Sequence, residues 1–288
     1  MTVAIVTDST AYLSPEEVAE YNIQVVPIPV IIDGKEYHEG VDIEREEFYD
    51  MLAHTENFPT TSQPAVGDWI KLFEQLKQEG YDEAFVIDLS STISSAVKTV
   101  ESLRDSVEGF TVHAYDSKLT VRPMGLLALK AGEMAQNGAS VAEITETLDQ
   151  LRETIDEYFV VDDLQNLARG GRLSNASAFL GSMLKIKPIL TFDDKTNYIV
   201  PFEKVRSMKK SLARAENLFQ EGIAEVDYPV RAMVIYSNNL EEGQKWLADL
   251  QVKFPEVEFD MGYFGPVIGT HLGPGALALG WMRHPDSL

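Results

Sequence analysis

Short apolar, β-branched runs recur through the first half of the chain, each leading through a hydroxyl-bearing turn into an amphipathic helical stretch. This alternation restricts the fold more than any other property of the sequence. Residues 3–7 read as a buried strand ending in Thr7-Asp8-Ser9-Thr10. Ser14-Pro15-Glu16-Glu17 is a capping box with proline at the first helical position, so a helix follows to about Tyr21. Residues 23–32 form a second β-branched stretch closed by an Asp33-Gly34 hairpin signal, and 43–52 have a helical pattern. A strand at 84–89 runs into Ser90-Ser91-Thr92-Ile93-Ser94-Ser95 and a helix to about Asp105. A strand at 110–115 ends in Asp116-Ser117, ahead of helical stretches at 126–137 and 141–158. The alternation predicts an α/β N-terminal domain over residues 1–159, doubly wound on a mostly parallel sheet.

The pattern changes beyond this point. A strand at 159–162, a short helix at 164–169 and a Gly170-Gly171-Arg172-Leu173-Ser174 loop precede a helix capped by Ser174, with Ala176, Phe179, Leu180, Met183 and Leu184 as its apolar stripe. Strands at 186–192, 198–201, 230–236 and 257–261, with helices near 208–220 and 241–254, predict a smaller α+β domain over 160–288. Its sheet is expected to be mixed or antiparallel. No linker, repeat or low-complexity segment separates the two halves, so close packing is expected.

Pro59-Thr60-Thr61-Ser62-Gln63-Pro64 sets three hydroxyls ahead of a helical pattern in which Val66, Trp69, Ile70, Phe73 and Leu76 share a face. An N-cap is one reading. The other is an anion site at a helix start, built from hydroxyls and dipole because no Lys or Arg lies between His54 and Ile70. A singly charged carboxylate fits that composition better than a polyphosphate, which recruits Lys or Mg²⁺. Ligands of open α/β sheets bind beyond the carboxyl ends of the strands. Ser9 and Thr10, Ser90 through Ser95, and Ser117 all fall in strand-to-helix turns there, and they are expected to converge with Thr61 and Ser62 on one small anion.

Three further features invite chemistry. His271 stands in a Gly/Pro-rich tail, residues 265–276, either as a structural histidine or as a partner for an anion or proton. Arg172, in the double-glycine loop, is either a solvated surface residue or part of the site. Lys204, Arg206, Lys209, Lys210 and Arg214 form a basic run that is either a solvated helix face or a dock for an acidic partner. Ser94 and His271 could serve a serine hydrolase or acyl-transfer enzyme, but no Gly-x-Ser-x-Gly elbow is present. No Walker or Gly-x-Gly-x-x-Gly turn supports a nucleotide enzyme, and a phosphotransfer subunit for a small polyol is the third option.

Charge and composition exclude other classes. A net charge of -22 argues against nucleic-acid binding and predicts repulsion from anionic lipid away from any local basic patch. With no cysteine there are no disulfides or thiolate metal sites, and the five histidines lack ligand spacing, so no metal is expected. No signal peptide or membrane-length apolar run is visible, and a soluble, cytoplasmic protein is expected.

In order, Thr7-Asp8-Ser9-Thr10, Thr60-Thr61-Ser62-Gln63-Pro64, Ser90-Ser91 with Ser94, and Asp116-Ser117-Lys118 resemble the DegV family, whose lipid-carrying members are called FakB. So do Gly171-Arg172-Leu173-Ser174, Lys187-Pro188-Ile189-Leu190, Lys204-Val205-Arg206, and His271 with Gly273-Pro274-Gly275. The resemblance spans essentially the whole chain. It implies a fatty-acid carrier, not an enzyme by itself, that holds one long-chain fatty acid in a tunnel between the domains. An ATP-dependent kinase of the FakA type would convert the presented carboxylate to an acyl phosphate for phospholipid synthesis, with transient membrane contact and no further cofactor. Carried over by position, Thr61, Ser62, Ser94 and Ser95 would bind the carboxylate with His271 close by. Arg172 and Arg206 would sit at the tunnel mouth, and the helix after Ser174 would cover it. Two stretches depart from the family pattern: Ser90 to Val97 lacks its glycines and its Thr-Tyr pair, and Val121-Arg122-Pro123 replaces small residues.

Overall fold

The computed structural model describes residues 2–174 and 186–288, so the helix expected after Ser174 lies outside the described residues. In the N-terminal half, β1 (Val3–Asp8), β2 (Gln24–Val26), β6 (Glu83–Asp88) and β7 (Thr111–Asp116) form a parallel sheet of order β2-β1-β6-β7. Strand alternation sends successive residues of β1 to opposite faces. Val3 and Ile5 pack with α5 (Val121–Gln136) and α6 (Val141–Arg152) through Leu127, Ile144 and Leu148. Ala4 and Val6 pack with Trp69, Phe73 and Leu76 of α3 (Val66–Gln78) and Val100 of α4 (Ala96–Ser102). Helices on both faces make this half doubly wound, and fully burying each large side chain contributes about 1.5–3 kcal/mol.

A small antiparallel sheet, β4-β3-β5, is built from β3 (Pro29–Ile32), β4 (Lys35–His38) and β5 (Thr60–Thr61). Asp33 (φ 50) and Gly34 (φ 80) both take left-handed conformations, the type I′ turn that Asp-Gly predicts. Strand β5 corrects the expectation that the hydroxyl cluster opens a helix. Thr61 pairs with Val30, and the Ser62 N–H donates to the Pro29 carbonyl, while α3 starts only at Val66 and has no side-chain cap. Two β-branched threonines favour extended backbone, and Pro64 holds the residue before it out of the helical region. Val66, 47% exposed, does not join the buried stripe.

The second sheet has the order β10-β9-β8-β13-β11-β12 and comprises β8 (Asp156–Val160), β9 (Ile189–Phe192), β10 (Ile199–Glu203), β11 (Val230–Tyr236), β12 (Glu258–Tyr263) and β13 (Leu277–Arg283). Only the β11–β12 pair is parallel, so the sheet is mixed. Its outer face packs Phe219 of α8 (Met208–Ala224) and Trp246 and Leu250 of α9 (Leu240–Lys253) against Trp281. Its inner face sends Phe159, Leu190, Met233, Ile235 and Ala278 into the same core as α5. Arg122 of α5 spans the two halves, with ion pairs to Glu17 of α1 (Pro15–Tyr21) and Asp260 of β12.

The structure departs from the sequence reading at several points. The helix predicted over 141–158 ends at Arg152, where the Thr154 hydroxyl donates to the Leu151 carbonyl, and 156–160 become β8. The 159/160 division therefore falls within a strand whose ladders lie in the second sheet. Strand β13 was missed because Leu277-Ala278-Leu279-Gly280-Trp281-Met282 is buried on both sides and shows no polar alternation. The Gly/Pro-rich tail contains a short helix, α10 (Pro266–Leu272), with proline in its first turn where no N–H is needed.

Candidate functional site

A cavity of about 290 Å³ lies between the inner face of the second sheet and the N-terminal half. Thr61, Ser62, Gln63, Ser94, Ser95, Arg172 and His271 line it, and Thr120 and Glu157 are its other polar groups. Most of the remaining wall is apolar, including Leu89, Ile93, Leu119, Phe159, Ile199 and Ile235.

His271, on the last turn of α10, sets the character of the polar end. Its Nε2 lies 2.9 Å from Thr61 Oγ1, whereas Nδ1 is buried without a partner among the described residues. A Cβ on Gly170 would stand 2.5 Å from that Nδ1, so the glycine is what admits the ring. Burial, reinforced by the Arg172 charge, lowers the imidazole pKa to about 3, and the ring is neutral at pH 7. With its proton on Nε2 the ring donates to Thr61, and the Thr61 hydroxyl proton is left to serve an anion.

The remaining groups are held by short links. Gly171 (φ 70) turns the chain so that the half-buried Arg172 donates from Nε to the Ile93 carbonyl (3.0 Å) and from Nη1 to the Gly170 carbonyl (2.6 Å). Burial pulls its pKa down. Thr92 Oγ1 donates to the Asn197 carbonyl, a second fastening of the Ser90–Ser95 turn to the C-terminal half. Ser94 Oγ accepts from the Ala96 N–H at the start of α4, which leaves its own proton free. Ser95 and Thr99 both donate to Gln63 Oε1, joining α4 to the segment after β5. The exposed Ser62 hydroxyl has no partner among the described residues. Val121, in the wall, is a β-branched residue at φ 56, a conformation costing of order 1–3 kcal/mol.

Several sequence expectations change. Ser9, Thr10 and Ser117 do not reach the cavity. Ser9 Oγ donates to Glu39 Oε2, Thr10 Oγ1 to Asp8 Oδ1, and Ser117 Oγ to the Leu119 carbonyl. The buried carboxylates of Glu39 and Asp8 need the first two donors, which turns those hydroxyls inward, while Ser117 closes a local turn. A formal charge does border the site, because Arg172 lines it, and the starts of α4 and α5 reach it while that of α3 does not. Arg206 is exposed ahead of α8 and is absent from the wall. Arg214 pairs with Glu203 and Glu221, so the basic run is partly neutralised. Ser94 and His271 share no hydrogen bond, and a ring this hard to protonate is a weak general base at neutral pH. Glu157 and Gly280, both in the wall, were missed, because Asp156-Glu157-Tyr158-Phe159-Val160 shows no polar alternation to signal which face Glu157 takes.

Among the described residues no group of three or more His, Asp or Glu could hold a metal ion, and no helix is long and apolar enough to cross a membrane. The arrangement can bind a small polar head against hydroxyls while storing an apolar tail beside it.

Comparison with known proteins agrees with this geometry. The profile of the uncharacterised DegV family matches residues 2–284. The DegV domain-containing protein lmo2514 of Listeria monocytogenes is 50% identical over 279 residues, 97% of this chain and 98% of its own. The crystal structure of DegV from Bacillus subtilis, described as a fatty acid binding protein, superposes with a TM-score of 0.91 at 41% identity, covering 99% of this chain and 100% of that one. The fatty acid binding DegV family protein SAG1342 from Streptococcus agalactiae gives a TM-score of 0.88 at 34% identity, with 99% of both chains covered. The chain belongs to the DegV family.

Proposed function

We propose that the protein is a carrier for one long-chain fatty acid, with the carboxylate among Thr61, Ser62, Ser94, Ser95 and His271 and the acyl chain along the apolar wall. The observation that carries this is a cavity in which Thr61, Ser62, Ser94, Ser95 and His271 share a wall that is otherwise mostly hydrocarbon, with Thr61 in hydrogen-bond contact with His271. The fatty-acid-binding relatives support it. About fourteen methylenes at about 0.8 kcal/mol each amount to roughly 11 kcal/mol of transfer free energy, against association costs of order 4–15 kcal/mol. The chain therefore dominates affinity, and the hydroxyl end fixes which way round the lipid sits. Neutral His271 donates to Thr61, and Thr61 in turn donates to the carboxylate, so no buried imidazolium is needed.

In this proposal the carboxylate is offered to a separate ATP-dependent kinase for acyl-phosphate formation in the cytoplasm. Arg172 lies at the head group, the exposed Arg206 serves the docking face, and lipid is collected by transient membrane contact. The protein supplies binding and orientation rather than catalysis. Denaturing mass spectrometry of protein purified from cells tests the carrier role. The expected result is a stoichiometric, non-covalent fatty acid. A covalent acyl group on Ser94 would instead support the acyl-transfer enzyme, and protein that neither carries nor takes up fatty acid would refute the proposal.

A further inference from the structure

The cavity wall carries a second polar group that the head-group end does not use. Glu157 and Phe159 of β8 point to one side of the sheet, as do their cross-strand partners Gly280 and Ala278 of β13, and all four line the cavity. Helix α10, which bears His271, ends at Leu272, and β13 starts at Leu277. Because Ala278 pairs with Phe159 and Gly280 with Glu157, Glu157 stands two residues further along β13, roughly 7 Å beyond Phe159. A carboxyl group thus interrupts the apolar wall away from the hydroxyl cluster.

Its hydrogen bonding is one-sided. Oε1 accepts from the Phe192 backbone N–H at 2.9 Å and from Thr191 Oγ1 at 3.2 Å, and Oε2 has no partner among the described residues. Burial, with the like charges of Asp156 and Asp194 adding to it, raises the pKa to about 8, so the group holds a proton at neutral pH. With Oε1 already accepting twice, the proton belongs on Oε2. Opposite it, Gly280 contributes no side chain, although a Cβ there would meet only ordinary contacts of 3.5–3.6 Å. The glycine is thus not required by sterics, and its effect is open space beside the carboxyl. Plain hydrocarbon laid in that space would strip water from the O–H and give nothing back, whereas an oxygen on the chain would accept from it.

We infer that Glu157 is a specificity-determining residue which favours an acyl chain bearing one oxygen function, a hydroxyl or keto group, remote from its carboxylate. This rests on the fatty-acid proposal and narrows its ligand class. The competing possibility is hydration: Glu157, Leu119 and Phe192 also border a polar surface cleft lined by Lys118, Arg152, Asp193 and Asp194, from which a water could satisfy Oε2.

The test is a calorimetric titration of delipidated full-length protein with stearic acid and with stearic acids hydroxylated or oxidised to ketones at successive positions from mid-chain to tail. The expected result is at least one positional isomer bound about tenfold more tightly than stearic acid. Glu157→Leu should bring that ratio to about one. Glu157→Gln keeps an acceptor for Phe192 and a donor for the ligand, so it should preserve the preference and guards against a folding defect in the leucine variant. Gly280→Ala, which the contacts tolerate, should reduce the ratio by narrowing the approach. Equal or weaker binding of every oxygenated isomer would overturn the inference and favour hydration, as would a preference that survives Glu157→Leu. Failure of stearic acid and all its derivatives to bind would instead overturn the fatty-acid proposal itself.

Discussion

Replacing Thr61 by valine isolates the contact on which the head-group end depends. Valine keeps the β-branch that suits β5 and nearly the same volume, so the pairing of Thr61 with Val30 survives. Two hydrogen bonds disappear. The first runs between Thr61 Oγ1 and His271 Nε2, and its loss leaves a buried imidazole unpaired at both nitrogens, because Nδ1 already lacks a partner among the described residues. An orphaned buried donor costs about 1–3 kcal/mol, which should lower stability by about that amount. The second is the proposed bond from Thr61 to the carboxylate, and hydrogen bonds to charged groups contribute about 1.5–3 kcal/mol. Fatty-acid affinity should therefore fall roughly 10- to 100-fold, measured by titrating delipidated protein with stearic acid, alongside a thermal melt of the ligand-free form. Affinity within twofold of wild type, with the melt shifted as expected, would refute the role of Thr61 while sparing the rest of the fold.

Three other outcomes follow from named contacts. Gly170→Ala would press a methyl group against His271 Nδ1, so the ring should shift and stearic acid binding weaken at least about tenfold; unaltered binding would mean that the ring's placement is irrelevant. Glu39 is buried among Ser9, Tyr12 and the Val267 N–H, and its pKa is raised from 4.5 to about 7, mainly by burial. An unfolded Glu39 loses its proton near pH 4.5 and the folded one near 7, so this contribution to stability is complete below about 4.5 and lost as pH rises through 7. Glu39→Gln should consequently gain up to about 3 kcal/mol on wild type between pH 4.5 and 8 in denaturant titrations, and a pH-independent difference would contradict the assignment. Arg206→Glu combined with Lys210→Glu should leave lipid retention intact and slow acyl-phosphate formation by a partner kinase; equal rates would reduce the basic run to a solvated face.

Much of the N-terminal half was legible because local and tertiary preferences agree there. The Ser14 capping box, the Asp33-Gly34 turn and the Trp69-Phe73-Leu76 stripe all form as their residues dictate. The sequence was misleading where one composition serves two structures. Thr60-Thr61 reads as a cap and folds as an edge strand because Pro64 delays the helix and β3 offers a ladder. Strand β13 is apolar on both faces and contains Gly280, so it carries no period of its own. Thr61, Ser62, Ser94, Ser95, Arg172 and His271 were named from the sequence and meet at one cavity. Glu157 was not, because an acid in a strand normally marks the solvent face, and only the register against Gly280 turns it inward.

A crystal structure of the protein with stearic acid tests the central claim most directly. The account predicts a carboxylate oxygen within about 2.5–3.0 Å of Thr61 Oγ1 and a hydrocarbon chain running past Phe159 toward Glu157. A lipid lying the other way round, or seated outside this cavity, would contradict it.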